Sequence, residues 1–251
     1  MTALDVVVIV AAGLFAGGIN SVVGSGTLVT FPVLLALGYP PVVANVSNSI
    51  GLVPGSVSGA IGYRRELKGQ AGRLVRFGLV TAVGAVGGAF LLLVLPPGAF
   101  EAVVPALIVV ALVLVVLQPF IARKLAERAP DRHPHGGIPL LVGVFGTAVY
   151  GGYFGAAQGV ILLALMGILL DDSLQRLNGV KNVTTATANL TSGLVFVFVA
   201  DVDWAVVGLL AGGSIIGGLI GARIGRRLRP FWLRAAIVVV GTVAIVQLLI
   251  R

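Results

Sequence analysis

The chain has 251 residues, 58% of them hydrophobic and only 10% charged, with a mean hydropathy of +1.09. A soluble domain carries about 25% charged residues, so this composition excludes a soluble globular protein and points to an integral membrane protein. The net charge of +8 does not argue for a nucleic-acid partner, because the Arg and Lys residues lie in clusters beside long apolar runs, where they orient membrane spans.

In chain order, the first apolar segment is about Leu4–Ile19. No basic residue precedes it and Asp5 is the first charge, so it is expected to be retained rather than cleaved as a signal peptide. A Gly-rich interruption, Gly17–Gly26, precedes a short segment Thr27–Leu37. Pro40 or Pro41 then starts a helix predicted to run to about Tyr63, since a first-turn proline has no helical N–H to lose. Arg64, Arg65, Lys68, Arg73 and Arg76 form a basic loop. Phe77–Leu95 and Ala99–Ala122 are spans of about the 20 residues a bilayer requires. A second basic stretch, with Arg123, Lys124, Arg128 and Arg132, reads as a linker over residues 123–137. Beyond it, Ile138–Phe154 and Val160–Leu170 flank another Gly-rich interruption, Gly151–Gly159. Asp171, Asp172 and Ser173 offer cap groups for a helix over Leu174–Ala200. Trp204–Ala222, a basic turn with Arg223, Arg226, Arg227, Arg229 and Arg234, and Phe231–Ile250 complete the chain.

An ungapped offset of 134 residues (151 − 17) superposes the two halves. Gly17 and Gly18 fall on Gly151 and Gly152, Asn48 on Asn182, Ser58 on Ser192, and Pro96 on Pro230. The loop Arg64–Arg76 is basic while its counterpart carries Asp201 and Asp203; the turn at Pro96 is uncharged while its counterpart is arginine-rich. Basic loops stay in the cytoplasm, so equivalent loops lie on opposite sides and the repeats are inverted. The predicted fold is an all-α polytopic membrane protein of two inverted repeats, residues 1–122 and 138–251. Each repeat has a broken or re-entrant helix hairpin plus three transmembrane helices.

Asn178, Asn182, Thr185, Asn189 and Ser192 recur at steps of four, three, four and three, which puts them on one helical face. Two uses are open for that face: helix packing, where an interhelical hydrogen bond averages about 0.6 kcal/mol, or a substrate-facing cavity. The Gly-rich interruptions bring Ser25 and Thr27 in the first half and Gln158 in the second to the start of a short helix. A helix N-terminus offers unpaired N–H groups and about half a positive charge, and two such termini meeting near the midplane suit an oxyanion. Lys181 is the one basic residue well inside a predicted span. It can pair with an anion or snorkel to the interface.

The absences sort function classes. No G-x-x-x-x-G-K-[ST] loop is present, so the chain is not an ATP-driven motor by itself. No cysteine is present, which excludes disulfides and thiol chemistry. Asp5, Glu101, Asp171, Asp172, Asp201 and Asp203 all lie near predicted span ends, so a carboxylate proton relay has no support. His133 and His135 sit in a Pro-rich loop and make a poor metal site. No catalytic constellation is visible, and neither an enzyme nor a cofactor is expected.

The stretches Ala16–Thr27 (AGGINSVVGSGT), Phe31–Leu34 and Ala44–Ser49 (ANVSNS), with Tyr150–Gly155 and Lys181–Asn182 in the second half, resemble the TauE/SafE family of sulfite exporters and sulfonate permeases. The resemblance covers essentially the whole chain. It implies a multi-pass inner-membrane transporter of small sulfur-containing or organic anions, and carries Asn20, Asn45, Asn48, Lys181 and Asn182 over as pathway residues. The second interruption, Gly155–Ala156–Ala157–Gln158–Gly159, departs from the glycine run expected there, and Gln158 offers a donor instead. The expected activity is secondary transport of a small anion by alternating access. The alternatives are a passive anion channel or a non-transporting membrane subunit. The expected partners are the substrate, membrane lipid and a second copy of the chain in a homo-oligomer.

Overall fold

The computed structural model describes residues 1–127 and 136–224, together with residues 235, 237–239 and 242. Most of the predicted last span, the arginines from Arg226 onward, Arg128, Arg132 and both histidines lie outside the described residues. Ten helices carry the rest: α1 (Ala3–Val22), α2 (Thr27–Ala36), α3 (Pro41–Gly51), α4 (Val53–Gly62), α5 (Ala71–Val94), α6 (Pro97–Glu127), α7 (Gly137–Tyr153), α8 (Gln158–Leu169), α9 (Leu174–Val199) and α10 (Trp204–Ile224). Among the described residues, α1, α5, α6, α9 and α10 are long and apolar enough to cross a membrane, while α2, α7 and α8 are shorter apolar helices.

Local chemistry explains most boundaries. Pro41 occupies the first turn of α3, and the Ser173 hydroxyl caps α9 by accepting from Arg176 N–H at 3.4 Å. Two predicted boundaries are corrected. The helix expected to run unbroken to Tyr63 is divided at Leu52, because Pro54 has no N–H to donate and its ring crowds the preceding turn. The stretch expected to begin a linker at Arg123 is still helical through Glu127; Arg, Lys, Leu, Ala and Glu there are all good helix formers.

Neighbouring residues fix the helix directions. Gly13 faces Leu210, Gly17 faces Ser214, and Gly18 faces Gly217, so α1 and α10 run the same way. Gly51 faces Leu210, Gly55 faces Ser214, and Gly62 faces Ala222, so α3 and α4 share that direction. Gly193 faces Ile50, Gly59 faces Asn182, and Gly179 faces Tyr63, so α9 runs opposite to them. Gly84 faces Ala148 and Gly88 faces Tyr153, which makes α5 and α7 parallel. The starts of α5 and α9 meet through an ion pair, Arg73 to Asp172, at 2.7 Å. One set, α1, α3, α4 and α10, is therefore antiparallel to the other, α5, α7 and α9.

It follows that α2 and α8 both turn back. α2 returns from the end of α1 toward the start of α3, alongside Asn48, through Thr27 and Thr30. Its connection to α3 lies near α1's start and the α9–α10 turn: burial raises the Tyr39 phenol pKa, and the Asp203 and Asp5 carboxylates add to the rise. α8 returns from the end of α7 to Asp172, beside the start of α5. The two hairpins thus enter from opposite ends of the bundle. Small residues let the backbones approach closely: a Cβ on Gly17 would stand 2.2 Å from the Ser214 carbonyl oxygen, and one on Gly88 would stand 2.0 Å from that of Val149. Phe31, Phe100 and Phe154 fill the core between α2, α6 and the second hairpin with edge-on ring contacts.

Candidate functional site

Each hairpin turns on a glycine in the left-handed region, Gly24 at φ +88° and Gly155 at φ +76°. The local bonding matches as well. Val23 and Gly24 N–H both donate to the Ile19 carbonyl, at 2.7 and 3.1 Å, and Phe154 and Gly155 N–H both donate to that of Tyr150, at 2.9 and 3.1 Å. Gly24 therefore corresponds to Gly155, not to Gln158 as the ungapped offset has it. The interruptions differ two residues further on: Gly26 has φ −59°, whereas Ala157 has φ +58°.

The interruptions touch. Gly159 N–H donates to the Gly24 carbonyl at 3.0 Å, and a Cβ on either glycine would stand 2.5 Å from the Cα of the other. Glycine on both sides is what permits this approach. The Lys181 stem lies against the same crossing, its Cδ 3.2 Å from where a Cβ on Gly24 would be and 3.0 Å from the corresponding point on Gly159.

Lys181 is wholly buried. It neither snorkels nor stands free for an anion: Nζ donates to the carbonyls of Asn20 at 2.9 Å and Ser21 at 3.1 Å. Asn182 Nδ2 donates to the Ser21 carbonyl at 3.1 Å. These carbonyls belong to the last turn of α1, which has no helical partner for them and carries the negative end of the helix dipole. Asn45 does the same for α7, donating Nδ2 to the Tyr153 carbonyl at 2.9 Å. Asn20 accepts from Gly26 N–H at 3.2 Å and donates to Ser56 Oγ at 3.4 Å. Asn48 accepts from Thr30 Oγ1 and donates to Thr27 Oγ1, the latter at 3.4 Å.

All ten residues singled out from the sequence are buried. Asn20, Lys181 and Asn182 gather at the end of α1, Thr27 and Asn48 join α2 to α3, Asn45 holds the end of α7, and Ser25 and Gln158 flank the Gly24–Gly159 contact. Thr185 and Asn189 continue the buried face of α9. Thr30 belongs with Thr27 and was not singled out, although its spacing of three from Thr27 puts both on one face of α2. The tertiary partners Ser21 and Tyr153 act through backbone carbonyls, which no side-chain pattern announces.

Several of these side chains have no hydrogen-bond partner among the described residues: Ser25 Oγ, both amide atoms of Gln158, and Thr185 Oγ1. Buried polar atoms are nearly always bonded, so the two at the hairpin turns are the strongest candidates for meeting a ligand. The Gln158 amide lies over Gly151, where a Cβ would stand 2.4 Å from Nε2. The first-turn amides of α8 are less free than the sequence implied. Gly159 N–H is bound to Gly24, and Val160 and Ile161 N–H are bound to Ala157. Side chains are therefore the better donors. No cluster of three His, Cys, Asp or Glu side chains able to hold a metal occurs among the described residues.

A multi-pass helical bundle with hairpins interrupted at depth and a polar interior has the build of a membrane transporter, in which irregular backbone is tolerated where it is enclosed by protein. The chain belongs to the sulfite exporter TauE/SafE family, whose model matches residues 9–248. It is 27% identical over 237 residues to the probable membrane transporter protein YfcA of Escherichia coli K12, covering 94% of this chain and 86% of that one. A probable membrane transporter protein of Haemophilus influenzae is 27% identical over 84% of this chain and 82% of its own length. The probable membrane transporter protein ORF9 of a Sinorhizobium species is 28% identical over 86% and 80%. No solved structure matches the chain. The protein is a multi-pass membrane transporter.

Proposed function

We propose that the chain is a secondary transporter of a small anion, sulfite, a sulfonate or a related sulfur-containing or organic acid, in the inner membrane. It works by alternating access between two inverted repeats, residues 1–122 and 138–251, with the basic stretch that joins them in the cytoplasm. The observation that carries this reading is the pair of unpartnered buried side chains, Ser25 Oγ and the Gln158 amide, on either side of the contact between the hairpin turns.

Inversion of the repeats is supported by the opposite directions from which the hairpins enter. It is supported also by exchanged packing, since α1 lies along α10 and α7 lies along α5. The tips are held reciprocally, by Asn182 on α1 and Asn45 on α7. Neutral donors suit this role because they hold an anion without the cost of several charges in the membrane. Ser25, Thr27, Gln158 and Thr185 are assigned to direct contact, with Asn189 further along the α9 face. Asn20, Asn45, Asn48, Lys181 and Asn182 hold the hairpins that carry those contacts.

The experiment is counterflow in proteoliposomes with labelled sulfite, thiosulfate or a sulfonate. Wild type is expected to show saturable counterflow, and Ser25→Ala and Gln158→Met to lose most of it while remaining folded. Gln158→Met is expected to match or exceed wild-type thermal stability, because it replaces an unpaired buried amide by an apolar group of similar shape. Wild-type flux in both variants would remove the site assignment, and an ohmic current without counterflow would make the protein a channel.

A further inference from the structure

The Lys181 ammonium lies against the buried last turn of an interrupted helix, α1. Its Nζ bonds to the carbonyls of Asn20 and Ser21, at 2.9 and 3.1 Å. Both partners are carbonyl acceptors, and the Asn182 amide completes the same turn through Ser21. In secondary transporters with discontinuous helices, such half-helix carbonyls coordinate the Na⁺ or H⁺ that drives transport. A cation at this position neutralises the negative helix end. Here it is supplied by the chain. The stem that delivers it lies against both Gly24 and Gly159, so the charge is tied to the point where the hairpins cross.

We propose that the Lys181 ammonium is a tethered substitute for a monovalent coupling cation, occupying a carbonyl site that would otherwise take Na⁺. The α1–α2 hairpin is then held in its folded form without sodium. As far as this inference rests on the chain being an anion transporter, substrate movement does not require a sodium gradient either. Removing the side chain opens the site: in Lys181→Ala the Asn20 and Ser21 carbonyls are left facing a space that a small cation can enter.

The test needs no substrate, so its outcome is independent of the transport reading. Thermal unfolding of the purified protein is measured in sodium, methylammonium and N-methylglucamine chlorides at equal ionic strength. Wild type is expected to melt at one temperature in all three. Lys181→Ala is expected to melt several degrees lower in N-methylglucamine and to recover, saturably, with sodium or methylammonium. Lys181→Met keeps the stem against the glycines but blocks the space, and is expected to stay low in every salt. A wild type stabilised by sodium over N-methylglucamine overturns the proposal, as does a Lys181→Ala protein that responds equally to all three salts. If Lys181→Ala can be purified folded only in sodium or methylammonium, the proposal stands; if it is unfolded in all three, it fails. Counterflow that is lost in wild type with this cation pattern intact would remove the transport reading alone.

Discussion

Asn45, buried near the start of α3, donates its side-chain amide to the Tyr153 carbonyl at 2.9 Å, 108 residues away. That carbonyl ends α7 and has no helical partner. Asn45→Ala is expected to destabilise the protein by about 1–3 kcal/mol, the cost of leaving a buried acceptor unpaired. Asn45→Asp is expected to fare no better, because it supplies no donor when ionised. Thermal unfolding in detergent reads both, and an unchanged melting temperature in Asn45→Ala would mean that another group holds the turn.

Gly38, between α2 and α3, and Gly159, at the hairpin crossing, separate conformational from steric demands on glycine. Gly38 has φ +88° with nothing within 4 Å of its Cβ position, so Gly38→Ala adds only left-handed strain of about 1–2 kcal/mol. Gly159 has no such φ, but its Cβ would stand 2.5 Å from Gly24 Cα. Gly159→Ala is expected to cost about 1–3 kcal/mol from overpacking and to lose the bond to Gly24. Melting temperatures report the first loss, and accelerated amide exchange at Gly159 reports the second.

Ala157 is the described non-glycine residue with positive φ, at +58°. Ala157→Gly relieves the left-handed strain and loses a little unfolded-state restriction. The net expectation is a gain of about 0.5–1 kcal/mol. A fall in melting temperature would show that the buried Ala157 methyl contributes more by packing than its backbone costs.

Asp172 ties three segments together at the end where α5 and α9 start. It pairs with Arg73 at 2.7 Å and with Arg176 at 2.8 Å, and it accepts from Ser173 N–H at 2.9 Å. Asp172→Asn is expected to lower stability by up to about 1 kcal/mol, the range of partly exposed pairs. The gap between wild type and variant should shrink as salt rises to about 1 M, where the screening length is about 3 Å. A gap that ignores salt would show that the charge of Asp172 is not what stabilises this end of the bundle, since Asn keeps an oxygen able to accept from Ser173 N–H.

Membrane character, helical class and the two interrupted hairpins were legible in the chain because each rests on local chemistry. Apolar runs, basic clusters and Gly-rich gaps act over one to a few turns. The polar face of α9 followed from its three-and-four spacing, and all five of its residues are buried. The helix expected from Pro40 or Pro41 to Tyr63 is divided at Leu52, because Pro54 interrupts its hydrogen bonding. The offset failed by three residues at the second interruption because sequence identity there is weak, whereas the φ angles at Gly24 and Gly155 align it at once.

What the amino-acid order determined by itself is where backbone must be interrupted and which helix faces are polar. Only the tertiary structure decided what those groups meet. The sequence allows Lys181 to pair with an anion or to snorkel, and it binds two carbonyls of α1 instead. Asn45 reaches α7 and Asn182 reaches α1. The physical reason is that the unmet groups at a broken helix end are backbone carbonyls, which every residue carries alike. No side-chain pattern marks which carbonyl is left open, and its partner is chosen by the packing of helices more than 100 residues apart.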